Sequence, residues 1–164
     1  MKNLKIAAGA MSIAALVAGK AVAETADFQA SATILNAIAV TKIADLNFAS
    51  IVPSATSAST VVVDSAGSLT CGAGLTCLGT PSAADFTVAG TPDETYSLSL
   101  PADANITSGA NTMLVESFTT DLAGNSGTLT GGASAFKVGA TLNVGAAQAT
   151  GNDAGTFTVT VNYN

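Results

Sequence analysis

From Phe157 to Tyr163 the sequence alternates without a break: Phe157, Val159, Val161 and Tyr163 take one parity, and Thr158, Thr160 and Asn162 the other. Successive side chains of a β-strand point to opposite faces, so this period of two predicts a strand over residues 156–164 whose four apolar side chains share one face. The same pattern recurs along the chain. Phe28, Ala30, Ala32 and Ile34 alternate with Gln29, Ser31 and Thr33, predicting a strand over residues 27–35. Further strands are predicted at 38–40, opening at Leu46 and Phe48, and at 60–63, 85–88, 96–100, 113–118, 136–138 and 141–144. In 43–52, Ile43, Leu46 and Ile51 would also fit a short helix, and strand is the preferred reading. Pro92 and Pro101 start turns, and 124–127, Gly131-Gly132 and 151–155 are loops expected to need positive φ. About ten short strands at this spacing predict an all-β fold, an immunoglobulin-like (Greek-key) antiparallel β-sandwich, in one domain over residues 24–164.

Residues 1–23 read differently. Lys2 and Lys5 precede an apolar run from Ile6 to Ala18, and Ala21-Val22-Ala23 is a small-x-small cleavage signal. This is the secretory pattern, with cleavage between Ala23 and Glu24. The apolar run is about thirteen residues, short of the roughly 20 that span a bilayer, so no membrane span is expected once the signal is removed. Three of the five lysines lie in this head. The remainder keeps Lys42 and Lys137 against eleven carboxylates, a net charge of −9. With no Arg to track phosphates, nucleic-acid binding is not expected.

The chemical inventory is equally thin. There is no His, hence no His-based triad or zinc site, and no catalytic, cofactor or metal residues are assigned. Asp93 and Glu94 are adjacent and in a predicted turn, so they read as solvated turn acids rather than a glycosidase pair. Asp121, Asn125 and Ser126, and Asn152 with Asp153, share loops without the acidic alternation of a calcium site. Asn105-Ile106-Thr107 fits a glycosylation acceptor. A spontaneous Lys–Asn isopeptide cross-link is conceivable at Lys42 or Lys137, but a lone Lys in a strand reads as a solvated edge charge. Cys71 and Cys77 lie in Cys-Gly-Ala-Gly-Leu-Thr-Cys. An even pair this close in an exported chain predicts a disulfide stapling a loop, whereas redox pairs have two intervening residues.

The first and last of these strands carry the functional expectation. A long alternating strand with an unpaired edge invites association, and exchange between neighbours is one solution. The segments 32–35, 38–41 and Asp45-Leu46-Asn47-Phe48 resemble the opening of a secreted bacterial domain family of unknown function, and 86–90, 138–144 and 155–163 resemble its later strands. Ala49 stands where that family usually has Gly after Phe. The family is similar in layout to the spore-coat-U-like subunits of archaic chaperone–usher pili. The resemblance implies a sandwich completed by a neighbour's N-terminal strand (24–35, through Phe28, Ala30, Ala32 and Ile34). It also implies a periplasmic chaperone that binds the C-terminal strand through Phe157, Val159, Val161 and Tyr163, and an outer-membrane usher. The expected protein is thus not an enzyme and needs no cofactor. It is a secreted structural subunit of a fimbria-like surface filament or coat, self-associating or pairing with neighbouring pilin subunits. The alternative is a monomeric surface module binding carbohydrate or protein.

Overall fold

The structure, a computed structural model, describes residues 23–164. The expected signal lies outside the described residues except for Ala23. The chain divides after Thr33. Residues 23–33 have no regular secondary structure and are exposed throughout. Residues Ile34–Asn164 form a compact unit of their own.

That unit is all-β. Its spine is one long strand, β11 (Ala133–Val144). One edge of β11 carries two partners end to end: β6 (Ala84–Ala89) beside its first half and β3 (Ser59–Val63) beside its second. The other edge carries β9 (Asn111–Thr120). β1 (Ala39–Ala44) extends the sheet beyond β6, β4 (Leu69–Cys71) beyond β3, and β8 (Ala104–Ser108) beyond β9. A second sheet has the order β10-β7-β12, from β7 (Thr95–Ser99), β10 (Ser126–Thr128) and β12 (Thr160–Tyr163). A small ribbon pairs β2 (Ser50–Val52) with β5 (Thr76–Leu78). All pairings are antiparallel, and the layered sheets are consistent with a β-sandwich.

Period-two geometry explains why β11 organises both cores. Phe136 and Val138 point into one cluster with Val88, Tyr96, Leu98, Leu129 and Val161. Ala140, Leu142 and Val144 point into a second with Val61, Ile106 and Val115. Leu46 and Phe118 pack against both. β9 reaches both clusters by changing parity. Its register against β11 shifts between Gly139 and Thr141, and Ser117 there has φ 53°. This bulge turns Val115 and Phe118, three residues apart, to the same side.

Several strands depart from the sequence expectation. Residues 136–138 and 141–144 belong to one strand, with Gly139 inside it. A Cβ at Gly139 would collide with the Val63 carbonyl and with Asp64, so glycine here admits a close backbone crossing rather than a turn. Gly127, read as part of a loop, lies in β10 opposite Tyr96, whose ring fills the space a Cβ would need. Gly124, Gly131 and Gly132 do have positive φ, whereas Gly151 and Gly155 do not. Those two instead pack tightly against Ser108 and Ile106 of β8. No helix forms over 43–52: β1 ends at Ala44, Asn47 makes an isolated bridge to Ser82, and β2 follows. The last strand is shorter than expected, because Phe157 and Val159 precede β12. The strand expected over 27–35 is absent, since those residues pair with nothing among the described residues.

Gly139→Ala is expected to destabilise the unit by about 1–3 kcal/mol, the usual cost of overpacking, outweighing the modest gain from replacing a strand glycine. Urea unfolding followed by circular dichroism checks this, and a lowered midpoint with an unchanged slope is the predicted result.

Candidate functional site

An open groove of about 730 Å³ lies in the Ile34–Asn164 unit. Its floor is the inner face of the main sheet, where Phe86, Phe118, Val138, Ile106 and Leu142 meet it. Phe86 stacks on Phe136 with ring centroids 5.1 Å apart, and Phe118 leans against Phe157 at 5.0 Å. The floor is therefore rigid and apolar.

Two rims border it. The first runs from Asp45 to Ile51 and Pro53, directly after β1. Reciprocal backbone bonds between Asn47 and Ser82 hold its start, at 2.8 and 3.0 Å. Asn47 Oδ1 accepts from the Ala49 N–H, and Ala49 sits in the left-handed region at φ 63°. The second rim is the irregular segment from Gln148 to Phe157, with Val159. It is tied to β8 by the reciprocal Thr107–Ala154 bonds at 2.9 and 3.0 Å. The Ala147 N–H donates to the Ser54 carbonyl, linking the two rims at one end.

At the opposite end Tyr163 makes a clamp. Its hydroxyl donates to the Asn36 carbonyl at 2.9 Å and accepts from the Thr91 N–H at 2.7 Å, while the Asn36 N–H donates to Thr91 Oγ1 at 2.7 Å. Gly90 leaves room for that hydroxyl, where any Cβ would collide with it. The start of β1 is thereby fastened to the end of β12. Both are edge strands of their sheets; β1 reaches the groove through Lys42, and Val159, just before β12, lines it as well.

The polar groups of the groove lie on its rims, among them Asn47, Ser50, Gln148, Asn152 and Asp153. Lys42 Nζ pairs with Asp45 Oδ1 at 2.6 Å on the exposed lip. Asp153 Oδ1 is shut off from solvent with no hydrogen-bond partner among the described residues. An acceptor buried in this way is rare, because its desolvation goes uncompensated. No cluster of three or more His, Cys, Asp or Glu that could hold a metal occurs among the described residues.

The residues singled out from sequence fall in three places. Phe28, Ala30, Ala32 and Ile34 lie on exposed chain, with Phe28 91% and Ile34 95% accessible. Phe157, Val159, Val161 and Tyr163 are all at least partly buried, while Thr158, Thr160 and Asn162 between them are exposed. Val161 belongs to the first core, Val159 and Tyr163 pack against it, and Phe157 packs against the second. Cys71 and Cys77 form a disulfide with Cα atoms 6.0 Å apart. Of the remaining polar candidates, Lys137 pairs with Asp85 at 2.5 Å, and Asp121 Oδ1 accepts from the Lys137 N–H. Asp93 holds a turn at φ 64°, its N–H bonded to Leu129. Sequence reasoning did not find the groove itself, although Asn152 and Asp153, weighed there for calcium, line it.

The structure defines a β-sandwich-type domain with an open groove that has apolar floor residues and mixed rims, one directly after β1 and the other leading toward β12. Residues 38–163 match the family described as a domain of unknown function (DUF4402), and the chain belongs to that family. The match begins at the foot of β1 and leaves the exposed alternating segment outside it. No curated protein and no solved structure matches the chain.

Because a left-handed conformation costs an L-residue about 1–2 kcal/mol, Ala49→Gly is expected to stabilise the unit. Glycine's extra freedom in the unfolded chain returns roughly 0.4–1 kcal/mol of that gain. A rise in Tm of about 2–4 °C is the predicted calorimetric result, for a net gain near 1 kcal/mol.

Proposed function

We propose that this protein is a structural subunit of a bacterial surface filament or coat, in which residues 24–35 of one copy lie as a strand in the groove of the next. The observation that carries the reading is the groove's position, beside the edge strand β1 and the irregular segment that leads into β12. A strand added there would supply backbone partners to both edges and cover an apolar floor. The exposed segment has the matching pattern. Phe28 and Ile34 offer two large anchors on one face, about 20 Å apart at strand rise, with Ala30 and Ala32 small between them.

In this account the protein is exported through the periplasm. A chaperone shields the groove and the β12 face until a neighbour's strand replaces it, and an outer-membrane usher passes subunits outward. The protein has a scaffolding role and no catalytic one.

The test uses a chain lacking residues 24–35 and a synthetic peptide of that sequence. The peptide is expected to bind and to raise the Tm, by mass action worth about 2.7 kcal/mol at a hundredfold excess over its Kd. Peptides carrying Phe28→Asp or Ile34→Asp should bind at least tenfold more weakly, since each lost apolar anchor is worth roughly 1.5–3 kcal/mol. Absence of binding, with the shortened chain as soluble and as stable as the longer one, contradicts the proposal. It would favour a monomeric module whose groove takes a carbohydrate or a protein ligand.

A further inference from the structure

The first rim of the groove belongs to neither large sheet. Ile51 lies in β2, and β2 pairs only with β5. Both strands of this ribbon are three residues long. A two-stranded ribbon is marginal in water without further support, and one this short more so. Its partner strand β5 has no ladder to the main sheet.

Cys77 is the middle residue of β5 and stands directly across from Ile51. Its disulfide partner, Cys71, is the last residue of β4, which pairs through β3 to β11. The covalent link therefore runs from the main sheet into the middle of the ribbon, opposite the groove-lining Ile51. The loop between the cysteines is shaped to make this reach. The Gly72 N–H donates to the Thr60 carbonyl at 2.9 Å, and a Cβ at Gly72 would overlap Ser59 and Thr60. Leu75 and Cys77 then turn inward and pack with Ile51 and Phe48 against the second core.

We infer that the Cys71–Cys77 disulfide is a positioning element of the groove, fixing the β2 rim against the main sheet so that an entering strand meets a preformed wall. The inference rests on the strand-accepting reading of the groove and assigns the cysteines a role in that site beyond closing a small loop. Preorganisation of this kind shows in affinity, because a mobile rim has to be ordered each time a strand binds. The other contacts of the ribbon are the Asn47–Ser82 bridge, the Ala147–Ser54 bond and the packing of Phe48, Ile51 and Leu75 on the second core, none of which replaces a covalent link, so loss of the disulfide loosens the rim without dissolving the sheets.

The experiment compares the full mature chain with its Cys71→Ser/Cys77→Ser form. The native chain reduced and alkylated serves as a second route to the same state. Two quantities are read at a temperature where every form is folded by circular dichroism. One is amide hydrogen exchange. Residues 47–53 and 76–78 should exchange at least tenfold faster without the bond, and β6 and β11 amides should be unchanged. The other is the affinity of a fluorescent peptide of residues 24–35 for the groove, which should fall at least tenfold. A general rise in exchange across β6 and β11 would show an ordinary stabilising cross-link and overturn the inference. So would unchanged exchange at the rim, or an unchanged affinity beside a loosened rim. If the disulfide-bonded chain itself fails to bind the peptide, the strand-exchange reading falls, and with it the site that the disulfide is inferred to serve.

Discussion

The inward face of β11 is the interaction on which the rest of the structure depends. Five alternate side chains, from Phe136 to Val144, feed two cores in succession. Neighbouring strands attach to whichever half serves them, β6 to the first and β3 to the second. A continuous strand imposes a single parity on both cores, and the other strands accommodate it. β9 does so with a bulge at Ser117. The crossing of β3 against the middle of β11 is possible because Gly139 has no side chain on that face. Polar contacts play a smaller part in stability, since both lysine pairs, Lys42–Asp45 and Lys137–Asp85, are partly or largely exposed and such pairs contribute little.

The groove follows from how the two sheets end. The main sheet stops at β1 and the second stops at β12, and Tyr163 fastens the two at one end only. Away from that clamp the opening is lined by the segment running into the short β2 strand on one side and by the irregular segment 148–157 on the other. Under the proposed function this opening takes a length of extended backbone, and the exposed segment 24–35 has the period to provide one in a second copy. In that reading the same hydrogen-bonding physics that makes open edges hazardous becomes the means of assembly.

Much of the fold was legible wherever one residue type had one job. Tyr96 and Leu98 of β7, Val61 and Val63 of β3, and Val161 of β12 alternate with polar neighbours, and each is buried as that alternation predicts. The cysteine spacing likewise gave the disulfide. Glycine was the recurrent source of error, because it serves turns and close packing alike. Gly139 hid the continuity of β11, Gly127 disguised β10 as a loop, and Gly151 and Gly155 read as turn residues while lying close against β8. β4, β5 and β8 carry too few large apolar residues to register as alternating. The segment 27–35 shows the converse, a clear strand pattern on residues that have no strand partner among the described residues. The groove left no local signature at all. Its floor residues come from distant strands, and its second rim is an irregular segment whose course depends on contacts with β8.

The most direct measurement of strand exchange is amide hydrogen exchange of the full mature chain as it passes from dilute monomer to assembled form. The account predicts that amides of residues 27–35 exchange freely in the monomer and become strongly protected on assembly, together with those of β1 and of the segment leading into β12. Assembly in which residues 27–35 remain as freely exchanging as in the monomer would contradict it.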